Sequence, residues 1–154
     1  ITSEMNFCSG VQITKSDNLS TLEKTDFILI DNPSDVNFNI YRYKKPIGIK
    51  IKEKLSLLRM NAIEAINFDF MIYDRVLSPN FNDILDIKEL FSNIDTNCFI
   101  NIDKSNFNLD YLELILDIDF SGILVDLDTI NNKEFSNLIK HINNLKEAKE
   151  KKDG

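Results

Sequence analysis

The chain has 154 residues, 43% of them hydrophobic and 28% charged, with a formal net charge of −7. This length and composition suit one folded domain with a sizeable core, and they exclude a disordered or fibrous chain. The acidity argues against a duplex nucleic-acid binder and against docking on anionic lipid, since both need a basic surface.

No apolar run reaches the ~18 residues that suggest a membrane span. The polar first residues do not read as a signal peptide. A cytoplasmic location is the expectation, and a start at Ile1 without Met suggests a chain trimmed at its N-terminus. Cys8 and Cys98 lie far apart in apolar segments and read as reduced, buried small hydrophobes. With a single histidine, His141, and no close cysteine pair, a Cys/His zinc site and a Ser-His-Asp triad are both excluded. His141 itself reads as a surface residue on a polar helix.

In chain order, Phe7 to Ile13 is a weak strand candidate. Asp26-Phe27-Ile28-Leu29-Ile30-Asp31 is a short apolar run bounded by aspartates. An irregular stretch, Asn32 to Lys45, follows, and it holds the basic and aromatic cluster Tyr41-Arg42-Tyr43-Lys44-Lys45. On so acidic a chain that cluster reads as a surface loop or a contact for an acidic partner. Pro46 to Ile51 is a second weak strand candidate. Leu55, Leu58, Ala62, Ala65 and Ile66 then recur at helical spacing, with Asn67 as a left-handed stop.

The aspartate-bounded phrase returns as Asp69-Phe70-Met71-Ile72-Tyr73-Asp74, more loosely as Cys98 to Asp103, and again as Asp119 to Asp126. Helical faces precede the last two: Ile84, Ile87, Leu90 and Phe91, then Leu109, Leu112, Ile115 and Leu116. A last one, Phe135, Leu138, Ile139, Ile142 and Leu145, closes the series. Asn106, Asn108, Asn131 and Asn132 are N-cap candidates. The charge run from Glu147 reads as a fraying helix end, so the expected organisation is one α/β domain over residues 1–146 and a charged tail over 147–154.

Short continuous apolar strands alternating with amphipathic helices indicate a parallel sheet with right-handed crossovers. Two closures fit. One, favoured, is an incomplete or trimmed (β/α)₈ TIM-type barrel; the other is an open, flavodoxin-like doubly wound sheet. The helix–x-Asp-Phe–strand–Asp rhythm over residues 26–128 is similar to the helix–Gly-Ala-Asp–strand rhythm of α/β barrels. Thr25, Phe68 and Ile118 stand where that rhythm has Gly.

Parallel sheets bind ligands beyond the carboxyl ends of their strands. That rim would carry Asp31 and Asn32, Lys50 and Lys52, Asp74 and Arg75, Asp103 and Lys104, and Asp126 and Asp128. Asp74, Asp103 and Asp126 are candidate ligands for Mg²⁺, which would relieve the repulsion of converging carboxylates. Lys50 could form a Schiff base or act as a base, and Arg75 could clamp an anionic substrate. The plainer expectation for the aspartates is capping of the next turn, for Lys50 a solvated or ion-paired lysine, and for Arg75 a structural ion pair. Glycine is scarce: Gly10, Gly48, Gly122 and Gly154. None forms a glycine-rich turn between strand and helix, which removes dinucleotide and P-loop sites. A receiver domain is disfavoured because no lysine follows Asp126-Leu127-Asp128-Thr129.

Two functions therefore remain. One is a Mg-assisted lyase or aldolase acting on a small anionic metabolite; the other is a non-catalytic α/β subunit that binds a protein partner.

Overall fold

In a computed structural model, residues 10–13, 23–36, 38–77, 80–103, 108–118, 120–126 and 128–153 are described. Six strands form one sheet: β1 (Gly10–Ile13), β2 (Phe27–Ile30), β3 (Ile47–Ile51), β4 (Phe70–Tyr73), β5 (Cys98–Ile102) and β6 (Gly122–Val125). Four helices accompany them: α1 (Leu57–Ile66), α2 (Phe81–Asn93), α3 (Leu109–Ile118) and α4 (Asn132–Asp153). Every strand pair is parallel, and the spatial order is β1-β2-β3-β4-β5-β6. The sheet curls into a half-barrel. Its order advances one strand at a time, which is the winding of the barrel alternative, without the reversal that defines a doubly wound sheet.

The runs read as strands form strands because their β-branched and aromatic residues meet partners on both faces. One face carries Ile13, Ile30, Ile49, Met71 and Cys98 in register, with Ile51, Tyr73 and Ile100 in the next row. These side chains join Met60, Ile63, Ile87, Leu90, Leu112, Ile115 and Leu138 of the helices in one core. Each such fully buried aliphatic side chain contributes about 1.5–3 kcal/mol relative to exposure.

Strand alternation sends Phe27, Leu29, Phe70, Ile72 and Phe99 to the opposite face, which the helices do not cover. Leu29 and Ile72 are buried there yet lie outside the helix-side core. Three glycines sit on this face in register with phenylalanines: Gly10 with Phe27, Gly48 with Phe70, and Gly122 with Phe99. A Cβ at Gly122 would lie 2.9 Å from the Phe99 ring, and one at Gly10 or Gly48 would overlap the Phe27 or Phe70 ring outright. None of the described glycines has a positive φ, so they supply room for a ring and not a special backbone angle. The seated rings touch edge to face, with centroids 5.6 Å apart for Phe27 and Phe70 and 6.4 Å for Phe70 and Phe99.

The helix ends follow sequence chemistry. Ser56 caps α1 and Asn80 caps α2, each accepting from the backbone N–H three residues on. Asn108 accepts from the Tyr111 N–H at 2.9 Å, which makes it the cap of α3. At α4, Asn131 accepts from the Glu134 N–H, and the Glu134 carboxylate accepts from the Asn131 N–H in return, a closed capping box. Asn67 ends α1 in the left-handed region with φ 59°. Asn106 lies outside the described residues, as do Cys8 and residues 7–9 of the first strand candidate.

Three expectations change. The α1 face that packs is Met60 and Ile63, whereas Leu58 is 82% exposed and Ala62, Ala65 and Ile66 also face outward. Met60 stands between Arg59 and Asn61, so the polar neighbours hide it among apolar residues that form a longer but outward stripe. Within the stretch read as irregular, Pro33–Asp35 and Phe38–Tyr43 form 3₁₀ helices. Lys45, read as part of a surface contact, donates to the Thr25 and Glu23 carbonyls and ties that stretch to the chain before β2. Finally, α4 continues to Asp153, so the charged run is helical. Among the described residues no helix is long and apolar enough to cross a membrane.

Candidate active site

The register that sets the two faces also sets the rim. Asp31 follows β2, Lys50 lies near the end of β3, Asp74 follows β4, and Asn101 lies near the end of β5. Pairing Ile30 with Ile49, Lys50 with Ile72 and Tyr73 with Ile100 puts all four on the helix-free face, above the phenylalanine layer.

Lys50 Nζ lies between two carboxylates, 3.7 Å from Asp31 and 3.6 Å from Asp74. Both ends of this arrangement are held. Lys52 Nζ approaches Asp31 at 2.7 and 2.8 Å from its two oxygens. Asn101 donates its amide to Asp74 at 2.6 Å. The Lys50 and Asp31 side chains are 17% and 14% exposed, so their charges interact in a partly desolvated setting. Asp31 Oδ1 is fully buried and accepts no aligned hydrogen bond. Its short approach to Lys52 is an ionic contact with poor hydrogen-bond geometry, so one acceptor position stays open.

A cavity of about 380 Å³ opens over the ends of β2 and β3. Asp31, Asn32, Lys50, Lys52 and Glu53 line it from the sheet side, and Leu55, Arg59 and Ile63 from the α1 side. It is large enough for a small metabolite.

The other sequence candidates part company here. Arg75 stacks over the Tyr73 ring, 5.8 Å from its centroid, and neither pairs with a rim aspartate nor lines the cavity. Asp126 accepts from the Asp128 N–H at 2.9 Å and closes its own turn. Asp103 is exposed and has a partner of its own. Among the described residues no group of three His, Cys, Asp or Glu side chains is placed to hold a metal ion. Of the three candidate ligands, Asp74 sits against Lys50 and Asn101, and Asp126 closes its own turn.

Sequence reasoning missed Asn101 and Arg59. Asn101 had a findable signal, since it alternates with Phe99 on an otherwise apolar strand. Arg59 had none, because only the folded chain brings the first turn of α1 into the lining of the cavity.

Cys98, the free cysteine of β5, is buried, and desolvation pushes its thiol up to about 12. It faces the helix-side core and is unsuited to nucleophilic work. Scanned against protein-family models the chain matches none, and no curated protein matches it.

Proposed function

We propose that this α/β half-barrel carries an amine-dependent, lyase- or aldolase-type site in which Lys50 attacks the carbonyl carbon of a small metabolite. The observation that carries the reading is the Lys50 amine held between Asp31 and Asp74, with Lys50 and Asp31 among the residues that line the cavity. Lysine is the side chain suited to imine formation, and flanking carboxylates can take and return its proton.

In this chemistry the amine form of Lys50 adds through Nζ to the carbonyl carbon, and a carboxylate takes up the proton that the new C–N bond releases. The carbinolamine loses water to give an iminium, which accepts the electron pair released when a neighbouring C–C bond breaks. Protonation of the resulting enamine at carbon restores an iminium, and its hydrolysis returns the amine. Asp31, a lining residue of the cavity, suits the proton of a substrate hydroxyl. Asp74, oriented by Asn101, suits the proton exchanged at Nζ. This route uses the iminium as electron sink and has no step that requires Mg²⁺.

The test is reductive trapping. Incubation with glycolaldehyde and borohydride, followed by peptide mass spectrometry, is expected to give an adduct at Lys50 ahead of exposed lysines. Lys50→Met should remove that adduct and leave the background labelling. Equal labelling of Lys50 and surface lysines such as Lys88 overturns the proposal.

The second reading, a non-catalytic subunit, is favoured by exposed apolar side chains on α1 and α2, among them Leu57, Leu58, Phe81 and Leu85. A purely interacting subunit leaves Lys50 unreactive in the same trap.

A further inference from the structure

Resting on the reading of the cavity as the substrate site, we infer that Arg59 anchors an anionic group, a phosphate or a carboxylate, on the molecule that enters it. The lining holds three cations, Lys50, Lys52 and Arg59, against two carboxylates, Asp31 and Glu53. On a chain of net charge −7 this inverts the sign of the whole molecule. Two of the cations are already committed, because Lys50 and Lys52 both pair with Asp31. Arg59 is different: among the described residues no carboxylate pairs with it.

Its position makes the free charge more telling. Arg59 lies in the first turn of α1, which carries no acidic residue there. Arg59 is exposed, and a cation at a helix N-terminus opposes the helix dipole only mildly. An anion in the cavity reverses that balance, since it would meet the guanidinium fork and the positive end of the dipole together. Lys50 and Arg59 belong to the same lining, so on this reading the substrate class is a small carbonyl compound with an anionic end.

The probes are inorganic phosphate and malonate, titrated by calorimetry into the intact chain at low ionic strength. Saturable binding of at least one is expected, and which one binds separates a phosphate from a carboxylate anchor. Arg59→Gln should weaken it by about tenfold or more, the scale of one charge-assisted contact. Arg59→Lys should retain part of the affinity, and Arg42→Gln, outside the cavity lining, should leave it intact. Circular dichroism of each variant guards against misfolding. No saturable binding, or equal binding by Arg59→Gln and the parent chain, overturns the inference. These titrations involve no carbonyl chemistry, and glycolaldehyde trapping involves no anion, so the anchor and the Lys50 reading fail separately.

Discussion

Glycine at position 48 is required by a neighbour and not by its own backbone. Alanine there would gain about 0.4–1 kcal/mol from a stiffer unfolded chain. Against this, its methyl group would overlap the Phe70 ring, and forcing extra volume into a packed layer costs about 1–3 kcal/mol. The clash is the larger effect, so Gly48→Ala should lower the urea midpoint, and Phe70→Leu in the same chain should recover part of the loss. Strictly additive effects of the two changes would show that the ring does not press on this position. The same scale shows what the site residues disclose in sequence. Lys50, Asp31 and Asp74 were legible because each stands at the end of an apolar run, where a parallel sheet places its rim. Arg75 stood there too, but two residues beyond Tyr73 its chain was free to turn back over that ring. Strand ends can be read from a sequence; the direction of the next side chain depends on what lies beside it.

The elements themselves were legible from local patterning, since each aspartate-bounded run became a strand and each periodic stretch a helix. Helix faces were less so. In α1 the apolar residues are spread around the helix, and the sheet selects Met60 and Ile63 while Leu58 stays outside. Stop signals fared better, because they depend on one residue's backbone. Asn67 holds φ 59° while its N–H bonds back to the Ile63 and Glu64 carbonyls. A left-handed angle costs an ordinary L-residue roughly 1–2 kcal/mol, less for asparagine and nothing for glycine. Asn67→Ala should therefore destabilise the chain by about 1 kcal/mol, and Asn67→Gly should be neutral or slightly stabilising. Thermal melts of the two variants make the check, and an alanine variant as stable as the glycine one would refute the role of the angle.

At the scale of the whole molecule, the winding was the part that local sequence left open, because both closures use the same strands and helices. It emerges only from which strands pair, and the pairing puts all helix-side burial into one core. That core holds ionisable groups from three elements. Burial raises the thiol of Cys98 on β5 from 9.0 to about 12 and raises the phenols of Tyr73 on β4 and Tyr111 on α3 as well. At Tyr111 the Leu77 N–H donates to the hydroxyl at 3.2 Å and offsets part of that rise. All three keep their protons longer folded than unfolded, so the sign is the same for each. The Cys98 contribution is fully present below pH 9 and is lost as pH climbs toward 12. For one such proton the loss approaches about 1.4 kcal/mol per pH unit within that window. Urea unfolding from pH 8 to pH 11 should thus show a falling midpoint, and Cys98→Ala, though less stable at pH 8, should fall less steeply above pH 9. Parallel slopes for the two chains would mean that the thiol does not couple to the fold.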